Sequence, residues 1–345
     1  MRLTNKHNLP EVFVRVLSKP TYSKGKADLS VTELLQPPQL VQLVKKHWDD
    51  LEEDVADKIS ALFGTAVHVV LEMANDKKDM IVEERIHACI DGWDISGAMD
   101  VQKLEIDGTI IQDYKVTKVW SVMNEKAEWE QQLNIYAWLV EKMKGIPVKK
   151  AEIIAIIKDW SELEASFKAG YPEASVKTIE VPLWPMESRQ DFIRQRIHVH
   201  SSAAFATELG EHHAPCTPAE MWEKATKFAV IKKGNKKATA VFETEDEATA
   251  KAVQMGLGYE VVVRSGERTR CKRFCIVKDF CPQYQQYLKD TFGSDNWYNW
   301  NVENWGTKWD VTPNIWGEDD ESFSFSFDSA WAPPEAFFKH LADKY

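Results

Sequence analysis

The chain has 345 residues, of which 44% are apolar, and it carries a formal net charge of −11 at pH 7. This apolar content is enough for a buried core and excludes a disordered chain, and the length is typical of two or three domains. The sequence contains no apolar run long enough to span a membrane, and its N-terminus lacks the apolar segment of a signal peptide. We therefore expect no membrane association, a cytoplasmic location and cysteines that are free or bind metal rather than forming disulfides.

The N-terminal part predicts an arm followed by helices. Residues 1–27 mix Lys, Pro and Gly with short apolar pieces and predict the arm. Ser30 with Glu33 three residues later is typical of a capping box at the start of a helix. Apolar residues at helical spacing then predict a helix over residues 55–75. His68 lies on this helix, where a histidine considered alone is more often a packing or surface residue than a metal ligand.

The chain is organised around residues 95–115, which predict a β-hairpin. Two partly apolar runs flank Asp107-Gly108, and this dipeptide favours a two-residue turn in which both central positions have positive φ. The cross-strand partners that we expect from such a turn are Ile106 with Thr109, Asp100 with Lys115, and Gln102 with Asp113.

This hairpin predicts a cluster of charged side chains. Opposed residues share a face of a sheet, as do residues two apart on one strand, so Asp100, Asp113 and Lys115 are expected to converge. Two carboxylates and an ammonium are costly together unless water, a cation or one another satisfies them. Carboxylate oxygens suit Mg²⁺ or Mn²⁺, and a neighbouring lysine can orient water or offset charge on a phosphate. The pattern predicts metal-assisted hydrolysis of a phosphodiester.

The residues around the hairpin complete a predicted α/β domain over residues 28–210, with a central mixed β-sheet flanked by helices. Gln132 and Tyr136 are one helical turn apart, and the simplest interpretation makes Tyr136 a core aromatic with Gln132 bonded to it. The further elements that periodicity predicts are a strand over 80–92, a helix over 125–143, strands over 151–158 and 177–184, and a helix over 187–209.

Four features occur in this order: His68, Gly97-x-x-Asp100, Asp113-Tyr114-Lys115 and Gln132-x-x-x-Tyr136. Together they resemble the RecB/AddB-like exonuclease branch of the PD-(D/E)XK nuclease superfamily. The resemblance covers about residues 28–160. It implies a restriction-endonuclease-like core and a metal-dependent nuclease that degrades DNA from its ends.

The resemblance also implies roles for single residues. His68, Asp100, Asp113 and the Tyr114 carbonyl would hold Mg²⁺ or Mn²⁺, and Lys115 would position the attacking water. In the same way, Gln132 and Tyr136 would orient the DNA strand. Glu84, in the strand over 80–92, would lie near the metal, and a solvated charge beside Arg85 is the alternative.

Residues 211–284 predict a small α+β module with an uneven charge. Residues 222–275 contain 12 Lys and Arg against 7 Asp and Glu. Two apolar strands bracket a basic turn that could contact nucleic acid through Lys232, Lys233, Lys236 and Lys237. A helix is expected over residues 244–255, because Thr244 and Glu247 form a second capping-box pattern, and a strand follows over 259–264.

Four cysteines belong to this module: Cys216, Cys271, Cys275 and Cys281. Four thiolates fit tetrahedral Zn²⁺ or a [4Fe–4S] cluster, and free buried thiols are the alternative. Some RecB-like nucleases carry an iron–sulfur cluster, but here the spacing is C-x3-C-x5-C and the first cysteine follows the nuclease motifs. We expect a structural role for any bound metal.

Residues 285–345 form an acidic, tryptophan-rich tail. Residues 290–345 contain 3 Lys against 11 Asp and Glu, and Trp297, Trp300, Trp305, Trp309, Trp316 and Trp331 are concentrated there. The tail resembles the ferredoxin-like domain of the Api-like phage protein family, ending sooner than that domain does. Its acidity argues against base stacking and favours packing or the docking of a protein partner.

The function predicted from these patterns is a Mg²⁺- or Mn²⁺-dependent DNA exonuclease in phage-type DNA processing or recombination, acting in the cytoplasm of a bacterial host. The alternative is a nuclease-fold module that binds a host complex through the acidic tail, as a counter-defence protein, without turnover. The intact set of Asp100, Asp113 and Lys115 favours the enzyme. Cleavage of RNA is a third interpretation, because no residue is recognisable as a reader of the 2′-hydroxyl that would separate the two substrates.

Overall fold

A computed structural model describes residues 1–19, 24–74, 78–124, 127–211, 214–235, 237–294, 297–305, 314–318, 323–326 and 338–339. The chain divides into two compact units, Met1–Ala214 and Pro215–Tyr345, which we call unit 1 and unit 2. Within the described residues, no helix combines the length and the apolar character needed to cross a membrane.

In its described residues, unit 1 contains eight strands and eight α-helices. The strands are β1 (Arg2–Thr4), β2 (Leu29–Ser30), β3 (Glu52–Asp54), β4 (Met80–Ile90), β5 (Trp93–Glu105), β6 (Gly108–Thr117), β7 (Val148–Ile157) and β8 (Val176–Val181). The helices are α1 (Glu11–Leu17), α2 (Val31–Leu35), α3 (Pro38–Lys46), α4 (Ile59–Ala74), α5 (Val119–Met123), α6 (Ala127–Lys144), α7 (Glu162–Phe167) and α8 (Met186–Glu208). A short 3-10 turn, Val55–Lys58, precedes α4.

Six of these strands form a mixed sheet, which confirms the predicted α/β class with a central mixed sheet flanked by helices. The path runs β2-β5-β6-β7-β8, and β4 pairs with β5. The β2–β5 and β6–β7 pairs are parallel, and the β4–β5, β5–β6 and β7–β8 pairs are antiparallel. The predicted arm also has structure of its own, because β1 pairs with β3 outside the main sheet.

The core of unit 1 lies between the sheet and helix α6. Consecutive residues Leu133–Val140 are all buried, so this helix is enclosed on most sides. Helix α6 packs directly on β5 at Gly97, where a Cβ would lie 2.8 Å from both Leu139 and Tyr136. The glycine therefore sets how closely the helix that carries Gln132 and Tyr136 can approach the sheet.

Side chains satisfy backbone groups at both ends of helix α2. Ser30 accepts a hydrogen bond from the Glu33 backbone, and the Glu33 carboxylate accepts one from the Ser30 backbone, which confirms the predicted capping box. At the other end, Arg196 and His200 of α8 lie against the carbonyl of Leu34 at 2.9 and 3.0 Å. These contacts satisfy a helix carbonyl that would otherwise lack a partner.

The turn of the hairpin differs from the predicted one. Glu105 pairs with Gly108 and Leu104 with Thr109, so the two-residue loop is Ile106-Asp107. The predicted partners Ile106 with Thr109, Asp100 with Lys115 and Gln102 with Asp113 were wrong, and Gln102 pairs with Ile111 instead. The observed pairing register differs from the predicted one by two residues. Because side chains alternate with a period of two, each side chain of the paired segment keeps its predicted face.

The physical reason for this shift is a tertiary contact of Gly108. A Cβ at this position would lie 2.6 Å from the carbonyl oxygen of Pro147, just before β7. The glycine is therefore needed for close approach between β6 and the start of β7, and its φ is not positive. The Asp-Gly dipeptide does mark a hairpin, but the glycine is required by packing against Pro147 and not by the conformation of the turn.

Unit 2 is smaller in its described part. Its strands are β9 (Glu223–Lys224), β10 (Lys227–Lys232), β11 (Ala240–Phe242), β12 (Tyr259–Arg264), β13 (Glu267–Arg268), β14 (Asn314–Glu318) and β15 (Phe323–Ser326). Its α-helices are α9 (Glu245–Met255), α10 (Thr269–Arg273), α11 (Pro282–Phe292) and α12 (Trp297–Trp305), and a 3-10 turn spans Lys278–Phe280.

The predicted basic hairpin of unit 2 is confirmed as a strand pair. Strand β10 lies between β11 and β12 in an antiparallel sheet. The next helix is confirmed as well, since α9 follows Thr244, whose hydroxyl accepts the Glu247 N–H. Much of the acidic tail, including Trp309 and Trp331, lies outside the described residues, so the ferredoxin-like resemblance stays a prediction.

Candidate metal and catalytic site

The site lies where the β5–β6 ladder ends. The last paired residues are Val101 and Gln112. Immediately beyond them, the Asp100 carboxylate accepts the backbone N–H of Tyr114 at 2.7 Å. The Asp100 side chain is 11% exposed. The Asp100 carboxylate therefore satisfies the Tyr114 N–H at the end of the ladder, and this hydrogen bond keeps the carboxylate in a nearly buried position.

Helix α4 brings His68 to this carboxylate. The His68 Nδ1 atom lies 3.5 Å from Asp100 Oδ1, and the other ring nitrogen, Nε2, lies 3.0 Å from the Tyr114 carbonyl oxygen. The His68 and Tyr114 rings also meet edge to face with centroids 6.1 Å apart. The histidine is thus part of the site rather than a free surface residue of its helix.

A glutamate that sequence reasoning missed completes the group. Ligand atoms of His68, Glu83 and Asp100 all lie within 4.8 Å of one another. Glu83 has a φ of +49°, in the left-handed region that a non-glycine residue seldom adopts. Such strain persists where the surroundings enforce it and often marks a functional site.

The predicted glutamate, Glu84, lies elsewhere. Its carboxylate accepts a hydrogen bond from Gln102 at 2.6 Å and forms an ion pair with Lys144. Placing Glu84 beside the metal ligands was therefore wrong in this structure. Adjacent residues of a strand point to opposite faces. Glu84 is therefore on the same face of β4 as the buried residues Ile86, Ala88 and Ile90. That alternation was the signal that could have selected Glu83.

A second carboxylate, Asp113, lies deeper and is 2% exposed. Its Oδ1 atom accepts from Gln132 Nε2 at 3.3 Å, and its Oδ2 atom lies 2.7 Å from the Lys115 ammonium. Although this ion pair is short, no donor from the part of the chain that the structure describes meets Oδ2 with hydrogen-bond geometry, so a buried oxygen keeps unused acceptor capacity. Gln132 also donates to the Tyr136 hydroxyl at 2.8 Å.

The charges of the site act on one another. Burial, and then the negative charge of Asp113, raise the pKa of Asp100 to about 7, against the opposing effects of His68 and Lys115. The Glu83 carboxylate, 3.8 Å from His68 Nδ1, and the charge of Asp100 raise the pKa of His68 despite its burial. Burial and Asp100 also raise the pKa of Tyr114. Without a cation, therefore, the site is short of positive charge.

This donor set fits a hard divalent cation. Three carboxylates, an imidazole and a backbone carbonyl offer oxygen and nitrogen donors of the kind that Mg²⁺ and Mn²⁺ take. The residues that could hold the ion are His68, Glu83, Asp100, Asp113 and, through its carbonyl, Tyr114. The structure thus brings together every sequence-predicted residue of this site except Glu84.

The four cysteines of unit 2 lie near one another. The pKa of Cys216 is raised to about 12 by burial, by Glu220 and by the other three thiols. Burial and the neighbouring Cys275 and Cys281 raise the pKa of Cys271 to about 11. The Gln283 side-chain oxygen also accepts the Cys216 N–H at 2.8 Å, and its nitrogen donates to the Cys216 carbonyl at 2.9 Å. These effects put the four thiols within electrostatic range of one another, but among the described residues no three of them have sulfur atoms within 4.8 Å of one another. A metal bound by these cysteines therefore stays a prediction.

The predicted basic turn belongs to unit 2. Lys232 ends strand β10, and the Lys233 backbone donates to Gly258. Lys237 follows in the loop before β11, whereas Lys236 lies outside the described residues. These lysines are not part of the cluster in unit 1 that could hold a metal, and their contact with nucleic acid stays a prediction.

Comparison with known proteins identifies no family. No protein-family model matches this chain, and no curated protein matches it. Among solved structures, the crystal structure of SSO0001 has a TM-score of 0.37 and 16% sequence identity to this chain, and the alignment covers 55% of this chain and 82% of that one. A likeness at that level carries no argument about fold or activity.

Proposed function

We propose that this protein is a metal-dependent DNA nuclease, with unit 1 as a restriction-endonuclease-like domain of the PD-(D/E)XK, RecB/AddB-like type. The observation that carries the proposal is the meeting of the His68, Glu83 and Asp100 group with the Asp113–Lys115 ion pair. These side chains come from α4, β4, β5 and β6 of unit 1, and their charges are costly together unless a cation joins them.

The residues have separate roles in this proposal. His68, Glu83, Asp100 and Asp113 would hold Mg²⁺ or Mn²⁺, which lowers the pKa of a bound water and offsets charge on the phosphate. The Lys115 ammonium, anchored by Asp113, positions the attacking water and stabilises the negative charge that develops around phosphorus. Gln132 donates to both Asp113 and the Tyr136 hydroxyl, and in this proposal Gln132 and Tyr136 orient the DNA strand.

Cleavage of end-labelled DNA tests this function. Linear and closed circular DNA, each single- and double-stranded, would be incubated with Mg²⁺, Mn²⁺ or EDTA. We expect metal-dependent loss of linear DNA, since RecB-like relatives usually degrade from ends. Asp113→Ala should lower the rate by at least about a hundredfold, because it removes a ligand and the anchor of Lys115. Cleavage of circles would indicate an endonuclease with the same chemistry.

Asp107→Ala is the matched control. Asp107 is an exposed carboxylate at the tip of the same hairpin, where it pairs with Lys149, so its loss should leave cleavage unchanged. A folded Asp113→Ala variant that cuts at the wild-type rate would show that the site is assigned wrongly. If the wild-type protein cut nothing under any condition, the non-cleaving module that docks a host complex through the acidic tail would become the better hypothesis.

We also propose that Cys216, Cys271, Cys275 and Cys281 hold a structural [4Fe–4S] cluster or Zn²⁺. The support is the shared neighbourhood of four thiols in a small unit, where a bound metal would add folding free energy. Elemental analysis of protein purified without oxygen distinguishes iron from zinc. Neither metal above background would leave free thiols as the correct interpretation.

A further inference from the structure

One surface of unit 2 combines positive charge with exposed aromatic rings. Residues 268–278 contain five Lys and Arg and no Asp or Glu, in a chain whose net charge is −11. The Lys272 and Arg273 side chains are each 59% exposed. Both approach Glu267, at 3.8 and 3.2 Å, but exposed ion pairs of this kind are weak and screened by salt. The segment therefore keeps an excess of positive charge.

The aromatic part of this surface consists of Trp222 and Phe274. Their rings meet edge to face with centroids 5.4 Å apart, and they are 39% and 64% exposed. The Arg270 guanidinium lies 5.4 Å from the Trp222 ring centroid. Rings and cations are thus interleaved, and we call these residues, with Lys272 and Arg273, the cationic–aromatic surface.

The backbone of Trp222 is held in an unfavourable conformation. Its φ is +50°, which is an outlier for a bulky residue. The chain on either side is fixed, since Trp222 N–H donates to Ala219 at 3.1 Å and Arg270 N–H donates to the adjacent Met221 carbonyl at 3.1 Å. The same turn is closed by the Glu223 N–H, which donates to the Pro218 carbonyl at 3.0 Å, so the turn fixes the backbone of a residue whose ring stays 39% exposed.

We propose that the cationic–aromatic surface binds single-stranded DNA. Unpaired bases would stack on Trp222 and Phe274, while Arg270, Lys272 and Arg273 neutralise phosphates. In a duplex the base faces are already stacked on one another and hidden from such rings. The inference deepens the proposed nuclease function by naming single-stranded DNA as the form that unit 2 holds. Its binding step can be measured without cleavage.

The test uses the full-length chain carrying Asp113→Ala, so that the probe is not degraded. The probe is a fluorescein-labelled oligo-dT of about 20 nucleotides, longer than the stretch that such surfaces usually cover. Fluorescence anisotropy gives the Kd. Adding Trp222→Ala or Phe274→Ala should each weaken binding by about 5- to 100-fold. Trp222→Phe keeps a ring and should stay within about threefold of the parent.

A matched control and a charge variant sharpen the result. Phe205 in unit 1 is 63% exposed, close to the value for Phe274, so Phe205→Ala should leave Kd unchanged. The double variant Lys272→Gln and Arg273→Gln should make the dependence of the binding constant on salt less steep. The slope of log K against log salt should become less negative by about 1.4, the value for two phosphate contacts on a single strand. Circular dichroism and metal content confirm that each variant keeps its fold, since Cys271 and Cys275 are near.

Three outcomes would overturn the proposal. They are unchanged affinity in both alanine variants, equal loss with Phe205→Ala, and tighter binding of a blunt duplex of the same length. Failure of the nuclease proposal is a separate result. If the wild-type protein cuts no DNA but the ring variants still lose affinity, hydrolysis is excluded and the binding surface stands. If cleavage occurs and the ring variants bind normally, only the surface is excluded.

Discussion

At the scale of single residues, the candidate site depends on side chains that satisfy the backbone. Asp100 accepts the Tyr114 N–H, and His68 Nε2 lies 3.0 Å from the Tyr114 carbonyl. The strand that carries Asp113 and Lys115 is therefore fixed by the same residues that would hold the metal. Such support keeps ligands in place before an ion arrives and lowers the cost of binding it.

Two adjacent glutamates allow a direct test of this arrangement. Glu83→Gln should weaken Mn²⁺ binding by at least about tenfold, because it removes a charged donor from the His68 and Asp100 group. Glu84→Gln should leave Mn²⁺ affinity unchanged and lower the melting temperature, because it breaks the ion pair with Lys144. Calorimetric titration of both folded variants measures the difference. Equal loss of affinity in both would contradict the assignment of Glu83.

Part of this site could be predicted from residue types and strand geometry. The rest depends on which face of its strand a residue occupies. Asp113 and Lys115 are two apart on a strand, so their contact follows from strand geometry alone. Glu83 and Glu84 are chemically identical, and only the alternation of buried residues in β4 separates them. The positive φ of Glu83 depends on its surroundings, so no local pattern could have revealed it.

At the scale of elements, helix α6 connects the core to the site. Its residues Leu133 and Trp138 are fully or almost fully buried, while Gln132 reaches Asp113. The distance between α6 and the sheet therefore decides where Gln132 and Tyr136 lie. Periodicity predicted the helix, but the spacing depends on Gly97, whose role appears only once the helix is packed against β5.

Substitution of this glycine should affect both stability and activity. In Gly97→Ala the new Cβ would lie 2.8 Å from Leu139 and Tyr136, so we expect a loss of about 1–3 kcal/mol in the free energy of unfolding. Cleavage should fall too, because Tyr136 is displaced. Urea unfolding and the DNA assay measure these effects. A variant as stable as wild type would show that the packing can relax.

Gly64→Ala is the control for Gly97→Ala. Gly64 lies within helix α4, and nothing is within 4 Å of its Cβ position. Alanine should therefore stabilise the protein by about 0.5–1 kcal/mol through the unfolded chain and the helix. Opposite signs in the two variants would separate a steric effect from a general effect of replacing glycine.

The hairpin shows why element boundaries escaped prediction from the sequence. Asp107-Gly108 is a strong turn pattern, and the strands on both sides were placed correctly. The turn moved by one residue because Gly108 lies against the carbonyl of Pro147, a residue nearly forty positions away. Local preference was outweighed by a contact that forms only when β7 joins the sheet.

At the scale of the whole molecule, the division into two units separates the proposed chemistry from the proposed strand binding. The residues proposed to hold the catalytic Mg²⁺ or Mn²⁺ lie in Met1–Ala214, whereas the cysteines and the cationic–aromatic surface lie in Pro215–Tyr345. The uneven charge of the sequence predicted a basic path for nucleic acid within residues 222–275, but the sequence alone could not show that Trp222 and Phe274 meet.

This separation predicts how a fragment should behave. A chain ending at Ala214 keeps the sheet, α4 and α6, so it should fold cooperatively and bind Mn²⁺ with nearly the affinity of the full protein. Its cleavage of short DNA should persist at saturating DNA, while its Kd for oligo-dT should rise by about tenfold or more, because stacking and phosphate contacts of unit 2 are lost. Mn²⁺ is titrated into the unmutated fragment and into the full chain, and oligo-dT is titrated into both with Ca²⁺ replacing Mn²⁺ so that the probe is not cleaved. A folded fragment that binds oligo-dT as tightly as the full chain would place strand binding in unit 1 and contradict the division of roles.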